Sequence, residues 1–414
     1  MIASVVMFVW GTASAASRGA RRPPLKLAWY VEDAAGVEIA NQQGDEPINP
    51  ASVVKLATTL WALERLGPDL RFETRCFARG TVDPAKGVLS GDLVVQGSGD
   101  PDFNVENAFL LANALNQVGV HKVSGALVVN RRFWIGWENG SAGADPDPFK
   151  RGMLMATRLR QALDPKRWNG TLRRAWRDFA TRRGWTSAKP PSVTVSGGIG
   201  VDGDVSRGEL LVVHRAKPLV DSLRRFNCYS NNDIERLGFN LGPIEELIGL
   251  LNVRCDAPPG EIQLETTSGL GTNRLTPRLV VRLLREFRKT CERSGVNVES
   301  LLSVAGCDVG TVSRFFPRLV QGDAATSVAG KTGTLTSTDG GVAVLAGFAN
   351  TGEGNLAFCV AVPNAAGRLK RARSAEEQWV VELLASHGGP RPRACAPPLG
   401  EADDGATIIL VAGE

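Results

Sequence analysis

The stretch that decides the fold lies at residues 49–67 and reads NPASVVKLATTLWALERLG. Asn49 is a good helix N-cap, and Pro50 suits the first helical position because its fixed φ angle is already helical. Apolar residues then repeat at helical spacing until the final glycine of the stretch, which ends the predicted helix. Ser52 and Lys55 are three positions apart, so they share one face of this helix. The stretch therefore predicts a hydroxyl and an amine side by side near a helix start.

Two further short motifs follow along the chain, Ser-Asn-Asn at 230–232 and Lys-Thr-Gly at 331–333. With Ser-Val-Val-Lys at 52–55, they stand in the order Ser-x-x-Lys, Ser-x-Asn, Lys-Thr-Gly. This ordered set is the signature of penicillin-binding proteins and class A β-lactamases. A lone Ser-x-x-Lys is a weak signal, but here it lies at a helix start and Lys-Thr-Gly precedes a predicted β-hairpin. The set predicts a serine nucleophile served by two lysines.

The residue types in these motifs suit acyl transfer. A serine hydroxyl such as that of Ser52 is a poor nucleophile until a base takes its proton. Lys55 serves as that base only if its pKa falls, and burial beside a second cation, Lys331, would lower it. Ser230 is a candidate proton shuttle between the lysines and the leaving amine. Asn232 has the donors and acceptors to hold Lys55 and to contact the substrate's peptide carbonyl.

The Lys-Thr-Gly-Thr run predicts a substrate-binding strand. Gly333 would let a substrate backbone lie against this strand without a Cβ clash. The backbone N–H of Thr334, together with that of Ser52, would form the oxyanion hole. The hydroxyls of Thr332 and Thr334, with the amine of Lys331, suit a terminal carboxylate.

Beyond the motifs, the chain resembles the D-alanyl-D-alanine carboxypeptidase/endopeptidase family of the penicillin-binding protein 4 type, peptidase family S13. The resembling stretches are residues 50–56 with 66–69, 97–101, 229–232, 268–270 with 273–274, 304–306 with 310–311, and 330–334. The resemblance implies an α+β fold: a penicillin-binding, β-lactamase-like domain, with an antiparallel sheet flanked by helices, interrupted by an inserted, mainly β domain. It also implies hydrolysis of peptidoglycan stem peptides through an acyl-enzyme at Ser52. β-Lactam antibiotics would act as covalent inhibitors.

The expected domain organisation follows from this resemblance. Residues 22–75 and 216–386 form the catalytic domain, and 76–215 form the inserted domain. Members of the family usually carry two inserted domains, and this insertion is too short for both. Residues 387–414 are rich in Pro, Gly and Ala, which favours a loosely ordered tail. Residues 1–16 read MIASVVMFVWGTASAA, an apolar run with a small-x-small cleavage pattern, which predicts a secretory signal peptide and a periplasmic protein.

Local patterns predict several secondary-structure elements. Strand-like alternation predicts β-hairpins at 26–41 and 341–362. Thr276 and the proline after it open a predicted helix. Ser374 and Glu377 form a capping box that would begin the last helix.

Composition limits the choice of function. The formal net charge is +5 and no dense Lys/Arg block carries interleaved aromatics, so nucleic-acid binding is not predicted. Peripheral contact with a membrane is left open. The seven cysteines include no Cys-x-x-Cys pair, and no metal or cofactor is predicted. The only histidines, His121, His214 and His387, lack the nucleophile-elbow serine of a Ser–His–Asp triad, which favours surface or packing roles.

Two alternatives stay open. One is a serine β-lactamase on the same fold, although no additional glutamate is evident as a base for fast deacylation. The other is a non-catalytic cell-wall-binding module, against which the complete set of motifs argues. The balance of carboxypeptidase and endopeptidase activity, the preferred stem peptide, the disulfide pairing and the oligomeric state are not decided by the sequence.

Overall fold

A computed structural model describes residues 24–136, 147–185, 189–203 and 208–411. The predicted signal peptide lies outside these residues. Within the described ranges, no helix has both the length and the apolar character needed to cross a bilayer.

The structure contains both strands and helices. In chain order, the strands are β1 (Ala28–Glu32), β2 (Glu38–Gln42), β3 (Glu73–Asp83), β4 (Val88–Gly97), β5 (Lys122–Val123), β6 (Leu127–Val129), β7 (Thr194–Val195), β8 (Ile199–Val201), β9 (Glu209–Arg215), β10 (Ser303–Val304), β11 (Val328–Leu335), β12 (Val342–Thr351), β13 (Gly354–Pro363) and β14 (Thr407–Leu410). The α-helices are α1 (Lys55–Leu66), α2 (Val105–Gln117), α3 (Pro148–Leu163), α4 (Gly170–Arg182), α5 (Leu219–Tyr229), α6 (Ile234–Leu241), α7 (Ile244–Arg254), α8 (Pro277–Arg293), α9 (Thr311–Phe315), α10 (Pro317–Val320) and α11 (Leu369–Ser386).

The first sheet has the order β10-β11-β12-β13-β1-β2, and its neighbouring strands are antiparallel. Helix α8 packs against one face and α11 against the other. Successive side chains of a strand point to opposite faces, and both faces are covered here. Val344, Ala346 and Phe348 therefore enter the core beneath α8, while Leu345 and Ala349 join the core beneath α11. This double burial explains the nearly continuous apolar runs of β12 and β13.

Strand β11 presents different residues to its two faces. Ala329 and Leu335 lie in the core that contains α1, so Lys331 and Gly333 share that side by the alternation of the strand. Thr332 and Thr334 consequently lie on the opposite side. Strand β10 pairs with β11 only through Ser303–Gly330 and Val304–Ala329. From position 331 onward this edge of β11 has no strand neighbour among the described residues.

The second sheet is built from the inserted segment and the end of the chain. Its order is β14-β9-β3-β4-β5-β7, and β6 pairs with β4 and β8. Helices α2 and α3 pack against it, and α4 packs on α2, so the prediction of a mainly β insertion is wrong: helix and strand contribute comparably. Residues such as Leu111, Met155 and Leu159 place an apolar helix stripe against the strands. The α+β fold class is confirmed, whereas the domain boundaries stay a prediction.

The C-terminal segment is ordered, contrary to the prediction of a loose tail. Its strand β14 pairs antiparallel with β9, and a disulfide joins Cys307 to Cys395. Arg224 on α5 donates to the Pro397 carbonyl, and Arg225 donates to the Gly400 carbonyl at 2.6 Å. The sequence did not reveal this arrangement because Pro- and Gly-rich composition is typical of loops whether or not they dock.

Arg225 of α5 also connects the tail to the insertion. Asp102, in the turn after β4, is buried and lies 3.0 Å from Arg225 Nε and 2.9 Å from Lys217 Nζ. A cavity of about 600 Å³ lies between α5 and the tail and is lined in part by Lys217 and Arg224. None of the motif residues lines that cavity.

Most local predictions are confirmed. The two hairpins are β1–β2 and β12–β13, and Thr276 caps α8 by accepting from Leu279 N at 3.1 Å. The predicted capping box is wrong: α11 begins at Leu369, so Ser374 lies inside the helix and its hydroxyl donates to the Lys370 carbonyl. Mid-helix serines commonly make this i−4 bond.

The disulfide gives a stability prediction. Replacing Cys395 with Ser removes a cross-link between positions 88 residues apart, which should lower the free energy of unfolding by about 4 kcal/mol in the chain-entropy account. Urea unfolding of the oxidised proteins measures this change. Dithiothreitol added to the wild type should reproduce the lower midpoint. Equal midpoints for wild type, reduced wild type and variant would contradict the prediction.

Candidate active site

Ser52 lies in a 3₁₀ turn, Ala51–Val54, that leads directly into α1. The Asn49 side chain accepts a hydrogen bond from Ala51 N at 3.0 Å, but the helical turn begins one residue later than predicted, with Pro50 rather than Asn49 as its N-cap and no side-chain capping bond. The first turn is tighter than the α-helix that the sequence predicts. Ala51 has a φ of +48°, a left-handed conformation that is unfavourable for a non-glycine residue. The backbone immediately before the predicted nucleophile is therefore strained.

Lys55 is fully buried and touches three acceptors. Its Nζ lies 2.9 Å from Ser52 Oγ, 2.8 Å from Asn232 Oδ1 and 2.6 Å from the Ser268 carbonyl oxygen. Burial lowers the pKa of Lys55 from 10.5 to about 7, against the opposing effect of Glu235 and of a second acidic residue, Asp233. A sizeable neutral fraction is therefore available near neutral pH.

The positions of the three acceptors determine which way the N–H groups and the lone pair of a neutral Lys55 point. A neutral amine has two N–H donors and one lone pair. The oxygens of Asn232 and Ser268 accept hydrogen bonds but cannot donate them, so they direct the two N–H groups of Lys55. The lone pair is left for the hydroxyl proton of Ser52, as a general base requires.

The second lysine, Lys331, is also fully buried. Its Nζ donates to Ser230 Oγ and to the Thr332 carbonyl, both at 2.8 Å. Burial and then the nearby charge of Lys55 hold the pKa of Lys331 well below its ordinary value. Ser230 follows the last residue of α5 and has a left-handed φ of +56°, the conformation in which many helices end.

A loop that sequence reasoning left without a role closes the site from one side. The Ser268 carbonyl holds Lys55, and Ser268 N donates to Glu235 Oε2 at 2.7 Å. Gly269 has a positive φ, and a Cβ there would collide with the carbonyl oxygen of Ala51. The Ser-Gly-Leu stretch contributes to the family resemblance. The sequence gives no sign that its backbone carbonyl accepts a hydrogen bond from Lys55, because every residue has such a carbonyl.

The residues of β11 are divided between two environments. On one side, a Cβ at position 333 would collide with the Pro50 carbonyl oxygen. Gly333 is thus needed for packing against the turn that carries Ser52. On the other side, Thr332 donates to Thr311 Oγ1 at 2.7 Å, and Arg373 donates to Thr334 Oγ1 at 3.1 Å.

The structure brings the five predicted catalytic side chains into two hydrogen-bonded groups, Ser52–Lys55–Asn232 and Lys331–Ser230. The charge of Lys55 also acts on Lys331 and lowers its pKa. The oxyanion hole and the substrate-binding roles of Thr332, Gly333 and Thr334 stay predictions.

The residues that sequence reasoning missed are Ser268, Glu235, Thr311 and Arg373. Of the histidines, His214 is buried and hydrogen-bonded to Asn107, which matches the predicted packing role.

This fold and this group of residues define the chain as a protein of the penicillin-binding, β-lactamase-like class. More particularly, it belongs to the D-Ala-D-Ala carboxypeptidase 3 (S13) family, whose sequence model matches residues 20–148 and 256–385. Ser52, Lys55 and Lys331 fall within the matched segments. The assignment of Ser230 and Asn232, which lie between those segments, rests on the geometry above.

Two curated relatives match a limited part of the chain. The D-alanyl-D-alanine carboxypeptidase of Actinomadura sp. (strain R39) is 36% identical over 97 residues, which are 23% of this chain and 18% of that enzyme. D-alanyl-D-alanine carboxypeptidase DacB of Haemophilus influenzae is 29% identical over 102 residues, 25% of this chain and 21% of that enzyme. The aligned segments thus span about a fifth of the length of these relatives.

Solved structures show a likeness over almost the whole chain. Bd3459, a predatory peptidoglycan endopeptidase from Bdellovibrio bacteriovorus, has a TM-score of 0.76 at 22% identity, covering 94% of this chain and 100% of that one. Penicillin-binding protein 4 (dacB) of H. influenzae has a TM-score of 0.62 at 19% identity, covering 87% and 96%. At these identities the likeness concerns the fold.

The low pKa of Lys55 can be measured directly. In protein labelled with ¹⁵N at lysine Nζ, we expect one resonance to titrate with a midpoint near pH 7 because burial disfavours the charged amine. Lys55→Met should remove that resonance, and Lys331→Met should leave it present, which makes the pair of variants a matched assignment control. A Lys55 resonance that titrates near its ordinary pKa of 10.5 would contradict the prediction.

Proposed function

We propose that this protein is a serine D-alanyl-D-alanine carboxypeptidase or endopeptidase that acts on peptidoglycan stem peptides through an acyl-enzyme at Ser52. The observation that carries the proposal is the contact of Ser52 Oγ with a fully buried Lys55, whose other two partners are both acceptors. This arrangement prepares a lysine to take a proton from the serine. Family membership supports the choice of substrate.

Acylation begins with transfer of the Ser52 hydroxyl proton to Lys55 Nζ while Oγ attacks the carbonyl carbon of the penultimate D-alanine. The resulting oxyanion would accept hydrogen bonds from the backbone N–H groups of Ser52 and Thr334. As the C–N bond breaks, the leaving amine takes a proton from Ser230 Oγ, which Lys331 replenishes over 2.8 Å. A water molecule then attacks the ester carbonyl, and its proton passes by way of Ser230 to Lys331. Lys55 returns its proton to Ser52 Oγ as the ester bond breaks, which releases the shortened peptide.

The open edge of β11 suits the extended backbone of a stem peptide. From position 331 onward the edge can pair with a peptide added as a further strand, because β10 pairs only as far as Gly330. Asn232 Oδ1 accepts a hydrogen bond from Lys55, and its Nδ2 would donate to a substrate carbonyl. The peptide would thereby be fixed on both sides of the scissile bond.

β-Lactams would acylate the same serine and remain attached for long times. Fast hydrolysis of such an adduct needs an additional base for water. Glu235, the acidic group nearest to that role, already accepts from Thr267 N and Ser268 N with its two oxygens. We therefore favour a penicillin-binding peptidase over a β-lactamase. In keeping with this, Bd3459 has been obtained in a penicillin G-acylated form.

We further propose that the protein works in the periplasm. The N-terminal sequence fits a secretory signal. The Cys307–Cys395 disulfide suits an oxidising compartment.

The nucleophile can be tested with a fluorescent penicillin. Wild-type protein should be labelled stoichiometrically, and Ser52→Ala should lose essentially all labelling and all release of D-alanine from purified muropeptides. Ser374→Ala removes an exposed hydroxyl from α11 and is a matched control that should keep both activities. Mass spectrometry of the muropeptide products separates carboxypeptidase from endopeptidase cleavage.

Three outcomes would contradict the proposal. Labelling of Ser52→Ala would place the nucleophile elsewhere. Rapid turnover of a chromogenic cephalosporin by wild-type protein would favour a β-lactamase. Binding to peptidoglycan with neither labelling nor D-alanine release would favour a non-catalytic module.

A further inference from the structure

Glu235 lies in the first turn of α6 and binds the loop between α7 and α8. One of its carboxylate oxygens accepts a hydrogen bond from Thr267 N at 3.3 Å, and the other accepts from Ser268 N at 2.7 Å. An ionised carboxylate can bind two neighbouring N–H groups in this way because both of its oxygens are acceptors. One side chain therefore holds two consecutive backbone donors of the loop.

The loop segment that Glu235 binds is closely confined. Thr267 and Ser268 are both buried. On the side of α1, Thr58 Oγ1 donates to the Thr267 carbonyl at 2.5 Å. On the side of α6, a Cβ at position 238 would lie only 2.2 Å from Thr267 Oγ1, so Gly238 allows the helix to approach the loop. The position of the segment thus depends on both helices.

The first turn of α6 also controls the acceptors of the lysine base. The Ser268 carbonyl, next to the N–H that Glu235 holds, accepts from Lys55 Nζ at 2.6 Å. Glu235 N donates to the Asn232 carbonyl at 3.0 Å, and Asn232 Oδ1 is a further acceptor of Lys55. Two of the three acceptors of the amine are therefore connected to Glu235.

The charge of Glu235 acts on the same amine. Burial lowers the pKa of Lys55 to about 7, and the largest opposing effect is that of Glu235, followed by Asp233. Asp233 is buried 3.3 Å from Arg236, so its charge is compensated locally. Among the described residues, no lysine or arginine forms an ion pair with Glu235, whose oxygens bind the two N–H groups instead.

Two other titratable groups lie near the amines. Burial and then the charge of Lys55 hold the pKa of Lys331 on β11 well below its ordinary value. Burial raises the pKa of the Cys228 thiol on α5 to about 12, which favours the neutral form. Neither group supplies negative charge to Lys55 near neutral pH. Glu235 is therefore the main source of such charge at the base.

We propose that Glu235 is a positioning residue for acylation, which keeps the Ser268 carbonyl on Lys55 and so turns the lone pair of the amine toward the nucleophile. The inference rests on the proposed function, because it assumes that this amine activates Ser52. Glu235 acts through the backbone of the loop rather than by touching the reacting atoms. Its charge has a second effect: it favours the protonated amine and so helps to set the pH at which the base becomes available.

The experiment measures the second-order rate of acylation by benzylpenicillin between about pH 5 and about pH 9. In the wild type, the rate should rise to a plateau with a midpoint near pH 7, because neutral Lys55 is the base. Glu235→Gln removes the charge and one acceptor. It should lower the plateau about 10- to 100-fold, the scale on which misplacement of a catalytic group reduces rates. It should also move the midpoint down by about one pH unit, because the charge that favours the protonated amine is gone.

Three further variants make the comparison specific. Glu235→Asp keeps the charge on a shorter side chain, so the plateau should fall while the midpoint stays at its wild-type value. Thr58→Val removes the donor on the other side of the segment and should have the same effect. Glu245→Gln removes an exposed carboxylate from α7 and should change neither quantity. Thermal melting of each variant measures whether it is folded.

The outcomes separate this inference from the proposed function. If wild-type protein does not react with benzylpenicillin, the proposed function fails and this inference fails with it. If the wild type reacts, a fall of both plateau and midpoint in folded Glu235→Gln supports the assignment, and any other result overturns it while the proposed function stands. Should Glu235→Gln not fold, Glu235→Asp decides: a lower plateau at the wild-type midpoint and melting temperature supports the assignment, and any other result overturns it.

Discussion

The burial of two amines in one site is the constraint on which the rest of the structure depends. Lys55 and Lys331 are both fully buried, and a buried amine without hydrogen-bond partners is strongly unfavourable. Each amine finds oxygen acceptors from separate parts of the chain. For Lys55 these are Ser52, Asn232 and the Ser268 carbonyl. Burial lowers the pKa of the lysine base, and the hydrogen bonds to the acceptors offset the free-energy cost of burying the amine.

The surrounding architecture keeps these acceptors in place. Ser230 stands at the end of α5, and α5 is tied by Arg224 and Arg225 to the C-terminal segment and to the buried Asp102 of the insertion. The insertion and the tail therefore both contact the helix at whose end Ser230 lies. Strand β11 completes the site because its alternation places an amine toward Ser52 and hydroxyls toward α9 and α11.

The parts that could be predicted from sequence are those with local signals. Motif order predicted that Ser52 and Lys331 belong to one site, and apolar runs predicted β12 and β13. The other features depend on contacts between distant segments. Strand β14 pairs with the edge of β9, and the hydrogen bonds of the Ser268 carbonyl with Lys55 and of Arg373 with Thr334 join residues that are far apart in the sequence. An arginine inside an amphipathic helix reads as ordinary surface charge until the neighbouring strand is known.

The measurement that tests the central claim most directly is a pair of crystal structures, one unliganded and one after reaction with benzylpenicillin. The account predicts Lys55 Nζ within about 3.2 Å of Ser52 Oγ in the first. In the second it predicts continuous density from Ser52 Oγ to the penicilloyl carbonyl. A solvated Lys55 remote from Ser52, or an adduct on another residue, would contradict the account.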